Sequence, residues 1–216
     1  MFYTKYTFLA SLSLFIVLIS TGCKQTSESA NKGQISNEPT LDANTAVPFK
    51  DYYDSGELKT EGELIDNKKT GKWISYYKNG EQKSVNHYKD DVFDGYQKID
   101  YSQELYMEGY SKNGLKIGVW KSHFKDDNRL KYVKEFDAAG NPSGEWKSYY
   151  DSGELYTVEN FLKNKAHGTQ TSYFKNGNIS AIGEKANGRE HGIWKYYYDN
   201  GTLASEKTFT NGKEQE

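Results

Sequence analysis

From Phe49 onward, short stretches of alternating apolar and polar residues are separated by glycine-containing turns, and no stretch has the three-to-four apolar spacing of a helix. In Trp146-Lys147-Ser148-Tyr149-Tyr150, period-two alternation puts Trp146, Ser148 and Tyr150 on one face of a strand and Lys147 and Tyr149 on the other. The turn Asp151-Ser152-Gly153-Glu154 follows. The chain then returns through Glu154-Leu155-Tyr156-Thr157-Val158-Glu159-Asn160-Phe161, whose β-branched and aromatic residues suit a second strand. A polar exit, Lys163-Asn164-Lys165-Ala166-His167-Gly168, leads into the next unit.

This frame recurs. Gly71-Lys72-Trp73-Ile74-Ser75-Tyr76-Tyr77-Lys78-Asn79-Gly80-Glu81 and Gly192-Ile193-Trp194-Lys195-Tyr196-Tyr197-Tyr198-Asp199-Asn200-Gly201-Thr202-Leu203 are near copies, and the stretch from Gly168 to Gly177 keeps the frame without the Trp. The opening glycines Gly71, Gly95, Gly118, Gly144, Gly168 and Gly192 stand at intervals of 24, 23, 26, 24 and 24 residues. With a partial unit at Asp51-Tyr52-Tyr53-Asp54-Ser55-Gly56-Glu57-Leu58, the array holds about seven units. Asn79-Gly80, Asn176-Gly177 and Asn200-Gly201 predict tight two-residue hairpin turns, and the Ser-Gly copies a slightly longer one.

One hairpin is marginal in water, so the units must pair side by side. The expected fold is all-β: an elongated antiparallel β-hairpin repeat solenoid, a twisted meander sheet over residues 49–216. Trp73, Trp120, Trp146 and Trp194 then line up as a packed row, and the opposite face carries Tyr76, Tyr149 and Tyr197 as an exposed aromatic strip. The units opened by Gly95 and Gly118 lack the turn glycine, and extra residues around Ala138-Ala139-Gly140-Asn141-Pro142 lengthen the following bend. A kink is expected between residues 95 and 143.

Composition agrees with a thin structure. Hydrophobic residues are 35% of the chain and 19 tyrosines help bring aromatics to 15%, so Tyr supplies much of the packed area while its hydroxyl reaches water. The formal charge of −2 speaks against nucleic acid or anionic lipid as the main ligand of the array, since both reward a basic surface.

The amino terminus reads separately. Lys5, an apolar run from Phe8 to Ile19 and then Ser20-Thr21-Gly22-Cys23 have the shape of a secretion signal. Small residues before the one cysteine resemble the bacterial lipobox, although Ser20 stands where Leu is commonest. The resemblance implies cleavage after Gly22 and lipid attachment at Cys23, with residues 1–22 removed. Residues 23–48 then form the lipidated Cys and a disordered tether, a flexible coil spanning about 25–30 Å. Acyl chains bury methylenes at about 0.8 kcal/mol each, so the membrane is a partner through the anchor. Lys24 is not the Asp that resembles an inner-membrane retention signal, which points to the outer membrane of a bacterial envelope, with the leaflet open.

The chemistry of an enzyme is missing from the pattern. His167 and His191 sit in phase before opening glycines and read as exposed turn residues; His87 and His123 fall elsewhere in the frame. Glu57, Glu81 and Glu154 read as solvated hairpin ends, and Gly183-Glu184-Lys185-Ala186-Asn187-Gly188 reads as a turn. No catalytic residue, metal site or cofactor is expected.

The pattern Gly-x-Trp-x-x-Tyr-Tyr-x-x-Gly-x-Leu, a return strand and a polar link resemble the bacterial variant of the MORN (membrane occupation and recognition nexus) repeat over residues 49–216. Many such proteins are antitoxin-like, which implies a protein partner, in the sharpest form a toxin that this chain neutralises. Aromatic hairpin repeats of cell-wall and glycan-binding proteins look similar, but their Trp and Tyr are contiguous, whereas two residues separate Trp146 from Tyr149. A structural spacer is the third reading. Partner identity and oligomeric state are not readable from the residues.

Overall fold

The structure, a computed structural model, describes residues 44–216. The leader, the cleavage point after Gly22, Cys23 and most of the tether lie outside the described residues. Fifteen strands run in chain order: β1 (Val47–Tyr52), β2 (Leu58–Ile65), β3 (Lys68–Tyr76), β4 (Gln82–Lys89), β5 (Val92–Asp100), β6 (Leu105–Lys112), β7 (Leu115–Phe124), β8 (Leu130–Phe136), β9 (Pro142–Tyr149), β10 (Leu155–Leu162), β11 (Lys165–Tyr173), β12 (Ile179–Ala186), β13 (Arg189–Tyr197), β14 (Leu203–Thr210) and β15 (Lys213–Gln215). Each pairs antiparallel with its sequence neighbours, giving one open meander sheet, with no helix among the described residues. The first strand begins at Val47, two residues inside the expected tether.

Two kinds of connection alternate. In the first, the Tyr53 N–H donates to the Glu57 carbonyl and the Gly56 N–H donates to the Tyr53 carbonyl, both at 2.9 Å. This is a four-residue turn closed by a positive-φ glycine, repeated in the loops that start at Tyr77, Tyr150, Phe174 and Tyr198. Asn79-Gly80, Asn176-Gly177 and Asn200-Gly201 belong here and are not two-residue turns. Only their glycines have positive φ; Asn79, Asn176 and Asn200 act through their side chains, whose Oδ1 atoms accept from the N–H two residues on at 2.9 to 3.0 Å.

The two-residue turns lie at the other end of the strands, inside what reads in sequence as a polar exit. Asp66-Asn67, Asp90-Asp91, Asn113-Gly114, Lys163-Asn164, Asn187-Gly188 and Asn211-Gly212 each place both residues at positive φ, the geometry that matches strand twist. Most of Gly183 to Gly188 is therefore strand, with the turn confined to Asn187-Gly188. His167 and His191 are exposed, as expected, but stand within β11 and β13, not in turns.

The opening glycines also lie inside strands. Glu61 pairs with Ile74 and Glu63 with Thr70, so Gly71-Lys72-Trp73 bulges opposite the single residue Gly62. Gly71 takes a φ of 61°, which a side chain would resist. Through the degenerate units the pairing from β5 to β9 continues without a break. Asn128, at a φ of 63°, replaces the missing glycine in the β7–β8 loop, and Asp137 to Asn141 replaces a two-residue turn by the longer kind.

Candidate interaction surfaces

A single sheet has two faces to account for. On the first, Trp73, Trp120 and Trp194 are only 3 to 4% exposed. Each lies over a glycine of the preceding strand, Gly62, Gly109 and Gly183, where a Cβ would overlap the indole. The indole N–H donates to the next carbonyl of that strand: Glu63 at 3.2 Å, Tyr110 at 2.9 Å and Glu184 at 3.1 Å. On the other side an aromatic residue faces each opening glycine: Tyr88 opposite Gly71, Phe136 opposite Gly118, Phe209 opposite Gly192. The indole is thus enclosed without a second layer of structure. Units lacking Trp change all three positions together. Gln97 pairs with Asn86 and Gln170 with Glu159, while Ser111 and Lys185 face the opening glycines.

Trp146 is the exception. Its N–H reaches the Glu135 carbonyl at 2.9 Å and its ring stacks on Phe161 at 4.2 Å, but Lys134 occupies the place of the glycine and the indole is only half-buried.

The opposite face carries the tyrosines singled out above. Tyr76, Tyr149 and Tyr197 each follow an opening glycine by five positions, and all three are half-buried, so the strip is less exposed than expected. Pairing sets Tyr149 beside Leu155 and Tyr197 beside Leu203, and the same row includes Tyr173 beside Ile179. The Tyr76 hydroxyl donates to Glu61 at 2.7 Å; that bond raises the tyrosine pKa and lowers the carboxyl pKa. The three chosen tyrosines share a row across the sheet but do not touch as one cluster.

In the degenerate units Asp100 and His123 take the Tyr position of this row. His123 is 8% exposed, stacks on Tyr106 at 4.9 Å and places Nε2 3.3 Å from Glu108. Glu108 also accepts the Tyr96 hydroxyl at 2.6 Å. Burial, then that hydrogen bond, pushes the Tyr96 pKa well above the usual phenol range, and burial raises Tyr106. Lys98 lies 4.2 Å from the Tyr106 ring centre, and Lys125 pairs with Asp100 at 2.9 Å. A cleft of about 270 Å³ opens beside them, with Tyr77 and Tyr106 in its wall. His123 falls elsewhere in the frame than His167 and His191, but its spacing from Gly118 is the signal that sets it in the Tyr row.

The remaining candidates stay apart. Glu57, Glu81 and Glu154 are exposed loop residues, and hydrogen bonds from Ser55 and Ser152 lower the Glu57 and Glu154 pKa values. No cluster of three or more His, Cys, Asp or Glu able to hold a metal ion occurs among the described residues.

No curated protein matches the chain. Four segments do match a family of repeats, each covering a strand, its glycine loop and the returning strand. Residues 69–90, 142–163, 166–184 and 190–211 match the MORN repeat variant, which is thus found four times along the chain.

Proposed function

We propose that this chain is a non-enzymatic protein-binding repeat module, held to the bacterial envelope by lipid on Cys23 and presenting the sheet face that carries Tyr76, Tyr149, Tyr173 and Tyr197 to a protein partner. The observation that carries the reading is that row itself, repeated at one position of successive units and left half-exposed by a sheet with a single layer. Tyrosine gives a large amphipathic contact at low entropy cost, and flanking Leu155, Ile179 and Leu203 extend its apolar area. An immunity role, in which the partner is a toxin encoded nearby, is the sharpest form. The outer membrane is the proposed location.

The test is capture of partners by the full tagged chain from detergent-solubilised cells of its source. The expected result is one stoichiometric protein that is lost when Tyr76, Tyr149 and Tyr197 are all changed to Ser in a variant with unchanged circular dichroism. Capture unaffected by the triple change would overturn the assignment to this face. No partner above a scrambled-sequence control would overturn the binding function. Growth inhibition by the captured protein, relieved by this chain, would establish the immunity form.

A further inference from the structure

The face bearing the tryptophans is packed along most of its length, but not between Trp120 and Trp146. Elsewhere the residue beneath the indole is glycine, which lets the ring lie flat on the sheet. Beneath Trp146 it is Lys134, which pairs directly across from Trp120, and the longer loop from Asp137 to Asn141 gives this unit its extra residues. A cavity of about 190 Å³ results, walled by Met107, Trp120, Tyr132, Phe136 and Trp146.

Three lysines line this cavity, Lys116, Lys121 and Lys134, and the first and last place their ammonium groups over its rings. Lys116 Nζ lies 4.4 Å from the Trp120 ring centre and Lys134 Nζ 4.7 Å from that of Trp146. Neither has a carboxylate within ion-pair distance among the described residues. Lys116 instead contacts the Met107 sulfur at 3.4 Å. Burial, reinforced by the nearby Lys134 charge, lowers the Lys116 pKa. Ring faces offset only part of such a cost, since a cation over an aromatic ring gains about 0.5–2 kcal/mol. An anion placed between two unpaired ammonium groups gains from both, and it gains most where water is thin.

We propose that the gap between Trp120 and Trp146 binds a small organic anion, with Lys116 and Lys134 taking a carboxylate or phosphate head and the rings of Trp120, Trp146 and Phe136 taking an apolar body. The volume admits one ring or a short aliphatic chain: an apolar cavity of about 150 Å³ already holds benzene. Lys185 over Trp194, at 5.4 Å, makes the same cation-ring contact and serves as the internal control, because the lysine across from that indole, Lys207, is already paired with Glu214 at 2.9 Å. This site is independent of the tyrosine face and of any protein partner.

The four indole N–H resonances of the full chain test it, with benzoate and phenyl phosphate as probes and benzyl alcohol as the neutral comparison. Saturable shifts at Trp120 and Trp146, but not at Trp73 or Trp194, are expected. Binding should weaken about tenfold or more with benzyl alcohol, in Lys116→Met and in Lys134→Met, and stay unchanged in Lys185→Met. The tighter of the two anions identifies the head group. An unshifted Trp73 resonance certifies the fold of each variant, joined by an unshifted Trp194 resonance in the variants that keep Lys185. Should Lys134→Met disturb them, Lys134→Gly restores the residue found under the other tryptophans and is expected to abolish binding. Absence of saturable shifts with both anions, equal shifts with benzyl alcohol, or binding unaffected by both Lys116 and Lys134 variants would overturn the proposal.

Discussion

Trp194 lies flat on the sheet because nothing projects from Gly183, and that pair condenses the logic of the array at the scale of one residue. A methyl group at Gly183 would have to displace the indole, and overpacking of this kind costs about 1–3 kcal/mol. Gly183→Ala should therefore lower the urea midpoint clearly in the wild-type background and much less in Trp194→Gln, since Gln97 and Gln170 accept side chains opposite. Additive effects in that double-mutant cycle would sink the account. A second prediction belongs to Tyr96. Its folded pKa is raised above the unfolded value of about 10, so its contribution is fully present below that pH and is lost as pH rises through the folded value. Unfolding midpoints measured from about pH 8 to about pH 12 should fall less steeply above about pH 10 in Tyr96→Phe than in wild type; identical slopes would count against it. The tryptophan row was legible from spacing alone, because period-two alternation and a 24-residue interval leave little choice of face. The glycines beneath it were not. Glycine marks turns more often than close approaches, so Gly183 read as part of a turn until its strand neighbours were known.

At the scale of the element, the same ambiguity exchanged the two ends of each hairpin. Asn-Gly is the strongest short signal for a two-residue turn, and Asn113-Gly114, Asn187-Gly188 and Asn211-Gly212 make one, yet Asn79, Asn176 and Asn200 serve through their carbonyl oxygens in a longer loop. The true two-residue turns include Asp66-Asn67 and Lys163-Asn164, which no composition rule singles out. Their second N–H groups help explain the choice: Asn164 donates to the Pro142 carbonyl and Gly188 to the Ala166 carbonyl, so each turn hangs from the hairpin before it. At the opposite end, Tyr53 donates to the Tyr76 carbonyl and Tyr150 to the Tyr173 carbonyl, both at 2.8 Å, linking loop to strand across one repeat. Lys163, at a φ of 50°, is the least suited residue in these turns, because a left-handed conformation costs a side chain such as Lys about 1–2 kcal/mol. Changing Lys163-Asn164 to Asn-Gly is predicted to raise stability by up to about 1 kcal/mol, read as a higher midpoint at unchanged denaturant slope. No change would mean that the neighbouring hairpin, and not the turn, sets this geometry.

Among the described residues, fifteen strands at a spacing of about 4.8 Å make a sheet roughly 65–70 Å across, in which strands pair only with their neighbours in sequence and the hydrogen bonds between loops reach across one repeat. Stability is then a sum over units and the interfaces between them, and no strand is required by a distant one. The tryptophan pockets respect the same rule, since each is completed by the strand before and the strand after. The edges follow from it as well: β1 carries Pro48 and β15 is short and charged, both of which discourage further pairing. Removal of residues 165–188 takes out β11 and β12 as one hairpin and rejoins Asn164 to Arg189 in place of Gly188, preserving a two-residue turn and the direction of every remaining strand. That variant should unfold cooperatively with a smaller denaturant slope, in keeping with its lesser buried area, and should retain the Trp73 and Trp146 indole environments while changing that of Trp194, whose Gly183 and Glu184 leave with β12. Removal of residues 165–176 alone deletes one strand and most of a loop, exchanging the tight-turn end and the loop end of every strand after β10, and should lower the urea midpoint much further than the first deletion. Equal damage from the two deletions would show that coupling reaches beyond nearest neighbours. Survival of the first and failure of the second would establish the hairpin as the unit that folds, and would let a partner-binding face be shortened one tyrosine at a time.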